Sequence, residues 1–147
     1  TLGVNFLYSK QLDAILFLPA TAIGFLSVAV LNLNNMRDEA SDRKSGKNTL
    51  VVKMGIENAK KYHYFLIVGA MILVLLFAIL SDFNFDQYLF VLAYFPLVKH
   101  VVTVSKNHNS KLLDPELKKV ALSTFALSVL LALCMIFFFS DLIVNNS

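Results

Sequence analysis

The feature that most constrains this chain is a run of twenty uncharged residues, "AILFLPATAIGFLSVAVLNL", from Ala14 to Leu33. In a helix that length crosses the hydrocarbon core of a bilayer, which needs about 20 apolar residues. Three further runs approach the same length, at 64–80, 88–104 and 120–139, the third interrupted near its end by Lys99 and His100. Leu, Phe, Ala and Val dominate them without period-two alternation, so helices fit and barrel strands do not. Hydrophobic residues make up 57% of 147 and mean hydropathy is +0.67. A soluble domain of this size could not cover so much apolar surface. The fold class predicted is all-α: a polytopic transmembrane helix bundle of four spans, one membrane-embedded domain over 1–147.

Charge orients the bundle. Of thirteen Lys and Arg, seven lie between the first and second spans and five at or after the end of the third; only Lys10 lies on the other side. The connection "SDFNFDQ" and the tail "SDLIVNNS" carry acids and no base. The positive-inside rule therefore makes both basic loops cytoplasmic and turns the C-terminus outward. A net charge of +3, with no interleaving of bases and aromatics, excludes nucleic acid as a partner. Cys134, alone and inside an apolar run, excludes an intrachain disulfide. The opening residues, with Thr1 first and no basic n-region, read as the interior of a longer protein.

Pro19 should kink the first span or free a carbonyl. Ala20, Thr21, Ala22, Gly24, Ser27 and Ala29 give that span a small-residue surface, as expected of a central helix with partners on several sides. Beyond Leu33 comes "NNMRDEASDRKSGKNTLVVKMG", residues 34–55, within a cytoplasmic motif loop at 34–61. If the first helix continues, Asn34, Asp38 and Asp42, each four apart, form one polar stripe roughly 12 Å long, with Gly46 placed to stop it. Carboxylates in the last turns of a helix oppose its macrodipole, so a cation must compensate. Two compensations fit. Arg37, Arg43, Lys44 and Lys47 can neutralise the aspartates as a solvated cap. Alternatively, an oxygen-only donor set suits Mg²⁺, which takes one or two carboxylates and leaves places for water and phosphate, while Arg and Lys hold the remaining phosphate charge.

The same residues carry a resemblance. The ordered pattern N-N-x-R-D-x-x-x-D-x-x-x-G-K-x-T-L resembles the second aspartate-rich motif of the UbiA superfamily of intramembrane prenyltransferases. Its form most resembles the 1,4-dihydroxy-2-naphthoate polyprenyltransferase branch, the MenA type of menaquinone synthesis. The resemblance implies a nine-helix fold of which this chain supplies the last four helices, in a cell inner (plasma) membrane. It implies Mg²⁺ as cofactor, and a polyprenyl diphosphate and an aromatic acceptor as substrates. The N-terminal half of the same enzyme, which carries the first aspartate motif, is implied as a partner, and the chain alone would be inactive. Asp38 and Asp42 match the family's metal-ligand positions, and Asn34 precedes them on the ladder as a ligand of metal or of its water. Asn34, Asn35, Arg37, Arg43 and Lys47 are assigned to substrate, although Arg37 and Arg43, about 240° apart around a helix, should not both face it.

Other features read as structural. His63 and His100 border spans as headgroup-level polar contacts, and Lys99 snorkels. Tyr8, Tyr62, Tyr64 and Tyr88 fit interfacial positions. Tyr94, Phe95 and Ile136–Phe139 fit an isoprenoid tunnel or a lipid-facing surface equally. "LLDPELKK" is a helix start with Asp114 as N-cap, and "NTLVVKMGIENAKKY" fits an interfacial lid. A transporter half is the rival reading, but its working carboxylates belong at midplane, where these spans are uncharged. A structural subunit with a partner-binding charged loop is the other.

Overall fold

The computed structural model describes residues 10, 14–107 and 113–145, with side chains described as far as residue 137. A 3₁₀ turn, Ala14–Leu16, leads into α1 (Phe17–Lys44); a short α2 (Leu50–Met54) and long α3 (Ile56–Leu80) follow. A 3₁₀ run, Phe85–Ala93, continues into α4 (Tyr94–Lys106), and α5 (Asp114–Asn145) closes the chain. Four helical stretches among the described residues are long and apolar enough to cross a membrane. The all-α, four-span bundle is thus the observed architecture. Tyr8, the opening segment and the tail beyond residue 145 lie outside the described residues.

α1 is central: it packs most extensively on α3 and also on α2 and α5. At about 1.5 Å per residue its 28 residues extend about 42 Å, some 12 Å more than the hydrocarbon core. The uncharged 14–33 stretch fills the membrane, and the last turns project beyond it. Pro19 neither kinks nor breaks the helix, because it is the third residue of α1, where a missing N–H costs little. The small residues of α1 divide between sides. Ala22 and Ala29 are fully buried, whereas Thr21, Gly24 and Ser27 are exposed. Phe17, Thr21, Gly24, Val28 and Leu31 line one open stripe of α1.

The α1–α3 seam is close where residues are small. A Cβ on Gly69 would meet the Phe25 ring at 3.2 Å, and Ala59 and Ala70 are fully buried. Polar glue joins them: buried Asn32 donates from Nδ2 to the Ala59 carbonyl at 3.0 Å, a bond favoured where no water competes. The second span is longer than its apolar core suggested, since α3 runs unbroken from Ile56 through Tyr64. The lid expected over "NTLVVKMGIENAKKY" reduces to α2, which turns into α3 at Gly55 (φ 79°, ψ 160°) with Val51 fully buried. The third span opens as a 3₁₀ helix because Tyr88 leaves helical geometry (φ −89°, ψ 16°). Buried Gln87 is spent there in a capping box, accepting from the Asn84 N–H at 3.0 Å.

Candidate functional site

The polar stripe forms on one continuous helix, because α1 runs through Asn34, Asp38 and Asp42 to Lys44. Its stop follows from Gly46, whose φ of 71° is open to glycine and costly for other residues. The Gly46 N–H donates to the Arg43 carbonyl (3.3 Å) and the Lys47 N–H to the Asp42 carbonyl (2.9 Å), the paired bonds of a Schellman cap. That reversal carries Lys47 back over the helix end, where Nζ lies 3.0 Å from Asp42 Oδ1. Thr49 then caps α2, its Oγ1 accepting from the Val52 N–H. The spacing G-K-x-T-L is therefore a helix stop, a returning base and a new helix start. Replacing Gly46 by Ala adds a Cβ that touches nothing within 4 Å, so the cost is backbone strain alone. Thermal unfolding of the full-length Gly46→Ala protein should show a loss of about 1–2 kcal/mol.

Arg37 organises the other carboxylate. Its Nε and Nη2 donate to the two oxygens of Asp38, both at 2.9 Å, and Nη2 also reaches Asn34 Oδ1 at 3.0 Å. Asn34 Nδ2 completes the group at 3.4 Å from Asp38 Oδ2. The guanidinium hydrogen bonds hold the Asp38 carboxyl below the usual carboxylate range. Nη1 of Arg37 reaches across to Asp114 Oδ1 at 2.8 Å. Asp114 is thus the first residue of α5 with its carboxylate serving an interhelical ion pair. Arg43 faces elsewhere, its Nε donating to Glu39 at 2.9 Å on the exposed side. Asn35 is half-buried and makes no side-chain hydrogen bond among the described residues. The structure therefore gathers Asn34, Arg37 and Asp38, sets Asp42 with Lys47 one turn on, and leaves Arg43 and Asn35 outside that group.

The donor set fits a magnesium ion in kind: two carboxylates and an amide, oxygen only. Among the described residues no three His, Cys, Asp or Glu side chains come together as a metal cluster. Two aspartates beside bases match a metal that draws its remaining ligands from phosphate and water.

A second polar group was invisible in the sequence. His63 and His100 are not headgroup contacts: both are buried, and their Nε2 atoms face each other at 2.9 Å. His100 Nδ1 lies 2.8 Å from Glu116 Oε2, and Glu116 Oε1 accepts from Lys119. With both rings neutral, one assignment satisfies this chain. His100 Nδ1–H donates to Glu116, and bare Nε2 accepts from His63 Nε2–H. His63 Nδ1 is then an acceptor with no donor, and it is the one buried side-chain polar atom without a partner among the described residues. "LLDPELKK" thus supplies partners to both polar groups.

Residues 2–114 match the model of the UbiA prenyltransferase family. The chain is 39% identical over 132 residues to the 1,4-dihydroxy-2-naphthoate octaprenyltransferase of Escherichia coli (strain K12), covering 90% of this chain and 43% of that protein. It is 36% identical over 131 residues to the protein of the same name from Haemophilus influenzae, covering 89% and 42%. The UbiA prenyltransferase domain-containing protein 1 of Dictyostelium discoideum is 27% identical over 126 residues, covering 82% and 37%. The chain spans less than half the length of each of these relatives. No solved structure matches it.

Proposed function

Since the chain belongs to the UbiA prenyltransferase family, we propose that it is the C-terminal part of an enzyme that transfers a polyprenyl group from its diphosphate to 1,4-dihydroxy-2-naphthoate with loss of CO₂. The observation that carries the reading is the stripe Asn34–Asp38–Asp42, gathered with Arg37 and Lys47 at the basic end of four membrane helices. The acceptor rests on the names of the two bacterial relatives.

In this reading Asp38 and Asp42 would hold Mg²⁺, with Asn34 on the metal or its water, and the bound ion would supply the positive charge that offsets the diphosphate. Arg37 turns its fork from Asp38 toward the phosphate oxygens, a geometry guanidinium matches in two bonds. Lys47 adds a point charge on a stem fixed by the Gly46 reversal. The allylic C–O bond breaks and its electron pair leaves with the diphosphate. The electron-rich ring carbon bearing the carboxylate forms the new C–C bond, and that carboxylate departs as CO₂. Apolar helix walls keep water from the allylic cation. The open stripe Phe17–Thr21–Gly24–Val28–Leu31 on α1 is where the remaining helices of the enzyme would pack.

The test is an assay of the full-length protein in membranes with Mg²⁺, a polyprenyl diphosphate and, separately, 1,4-dihydroxy-2-naphthoate, 4-hydroxybenzoate and homogentisate. Prenylated product and CO₂ should appear with the naphthoate alone, and chelation should abolish both. Product from another acceptor, with none from the naphthoate, would move the enzyme to a different branch of the family.

A further inference from the structure

A cavity of about 310 Å³ opens between α4 and α5, lined by Pro96, Lys99, Thr103, Lys119, Leu122 and Ser123, with buried His100 and Glu116 behind them. It lies at the same end of the bundle as Asp38, because Arg37 of α1 is tied to Asp114 at the start of α5. It is nevertheless a separate place. Asp114 and Glu116 are two residues apart, about 200° around the helix, so α5 turns one face to the aspartate stripe and the other to this cavity.

We propose that this cavity binds the phosphate of an anionic phospholipid from the leaflet at the basic end of the bundle. Charge favours it. Lys99 makes no ion pair among the described residues. Both oxygens of Glu116 are already engaged, by His100 and Lys119, so the carboxylate offers no free oxygen to repel an anion. With the rings neutral, the wall sums Lys99, Lys119 and Glu116 to one positive charge. Thr103 and Ser123 spend their hydroxyl protons on the Lys99 and Lys119 carbonyls. The phosphate's donors are therefore the two ammonium groups. Position favours a lipid as the source. Leu122 (58% exposed) and, one helical turn before Lys99, Phe95 (77% exposed) continue the opening as apolar surface toward the membrane, where acyl chains lie. The size sits at the low end for ligand pockets, which suits a headgroup and the start of its chains.

The experiment places the full-length protein in phosphatidylcholine nanodiscs containing phosphatidylglycerol and counts lipids retained on release by native mass spectrometry. Wild type should keep one phosphatidylglycerol. The Lys99→Gln/Lys119→Gln protein should lose retention at least about tenfold, and Lys106→Gln/Lys118→Gln, which removes two lysines from the same end but outside the cavity, should keep it. Leu122→Trp, which narrows the mouth without changing charge, should lose retention too, and serves if the double variant does not fold. Equal retention in wild type and both cavity variants would overturn the proposal. So would equal loss in the control pair, which would mark diffuse attraction to the surface. Displacement of the lipid by inorganic diphosphate at substrate concentrations would assign the cavity to a soluble phosphate instead.

Discussion

Asp38→Asn and Asp42→Asn, introduced singly into the full-length protein, should each lower prenyl transfer by about 10³-fold or more, while the amount of folded protein in the membrane stays as in wild type. The two readouts separate because the aspartates do little for the fold. The side chains of Asp38 and Arg37 are 38% and 29% exposed, a setting in which an ion pair contributes about 0–1 kcal/mol. Asp42 is nearly buried, but its partner Lys47 is 67% exposed. Both carboxylates also sit in the last turns of α1, where the macrodipole disfavours them by a few tenths to about 1 kcal/mol. Amides of the same shape relieve that repulsion and still accept from Arg37 and Lys47. Activity is different, because an amide cannot supply the anionic charge that holds a divalent ion against a diphosphate. A loss confined to activity therefore marks a metal site. Activity within about threefold of wild type in both variants, at matched expression, would return the cluster to a solvated helix cap neutralised by its own bases.

The sequence made the spans and the stripe legible for the same reason: both are local. Twenty uncharged residues need only a helix to cross a bilayer, and Asn34, Asp38 and Asp42 need only a helix to align. Gly46 as the helix stop was also readable, since it acts on backbone a few residues away, whereas the return of Lys47 to Asp42 and the Thr49 cap emerged with the structure. What failed was everything that depends on which helices meet. His63 and His100 are 37 residues apart and each looks like an interfacial residue on its own; their pairing exists once α3 and α4 pack. Asn32 was lost between the apolar core and the more conspicuous asparagines after it, yet it is the one that bonds across the α1–α3 seam. Asp114 reads as a helix cap from its neighbours, and the carboxylate instead answers Arg37 from 77 residues away. Small residues on α1 pointed to a central helix with partners on several sides, and α1 packs on α2, α3 and α5. Which of them meet a neighbour was not legible: Ala22 and Ala29 are buried, whereas Thr21, Gly24 and Ser27 lie on a side that stays open.

Removing one member of the His63–His100–Glu116 chain should damage the protein more than removing all three. His100→Leu leaves Glu116 without its ring partner and His63 Nε2–H without an acceptor, both at sites less than 5% exposed. Stranding a buried charge and a buried donor costs about 3–5 kcal/mol, so the full-length protein should unfold at markedly lower temperature in detergent. Lys119 still reaches Glu116, which places the loss toward the lower figure. The combined His63→Leu/His100→Leu/Glu116→Leu protein strands no buried polar group, since the two rings and the carboxylate go together and Lys119, 58% exposed, is left to solvent. Such replacements are close to neutral when the volume is kept. Its melting temperature should return most of the way to wild type. Prenyl transfer in that triple variant then decides what the chain is for. Wild-type activity would make it an interhelical tie whose polarity is dispensable once leucines fill the space. Lost activity in a protein of restored stability would give the chain a chemical task, and the unpartnered Nδ1 of His63 is the atom at which a proton would enter or leave it.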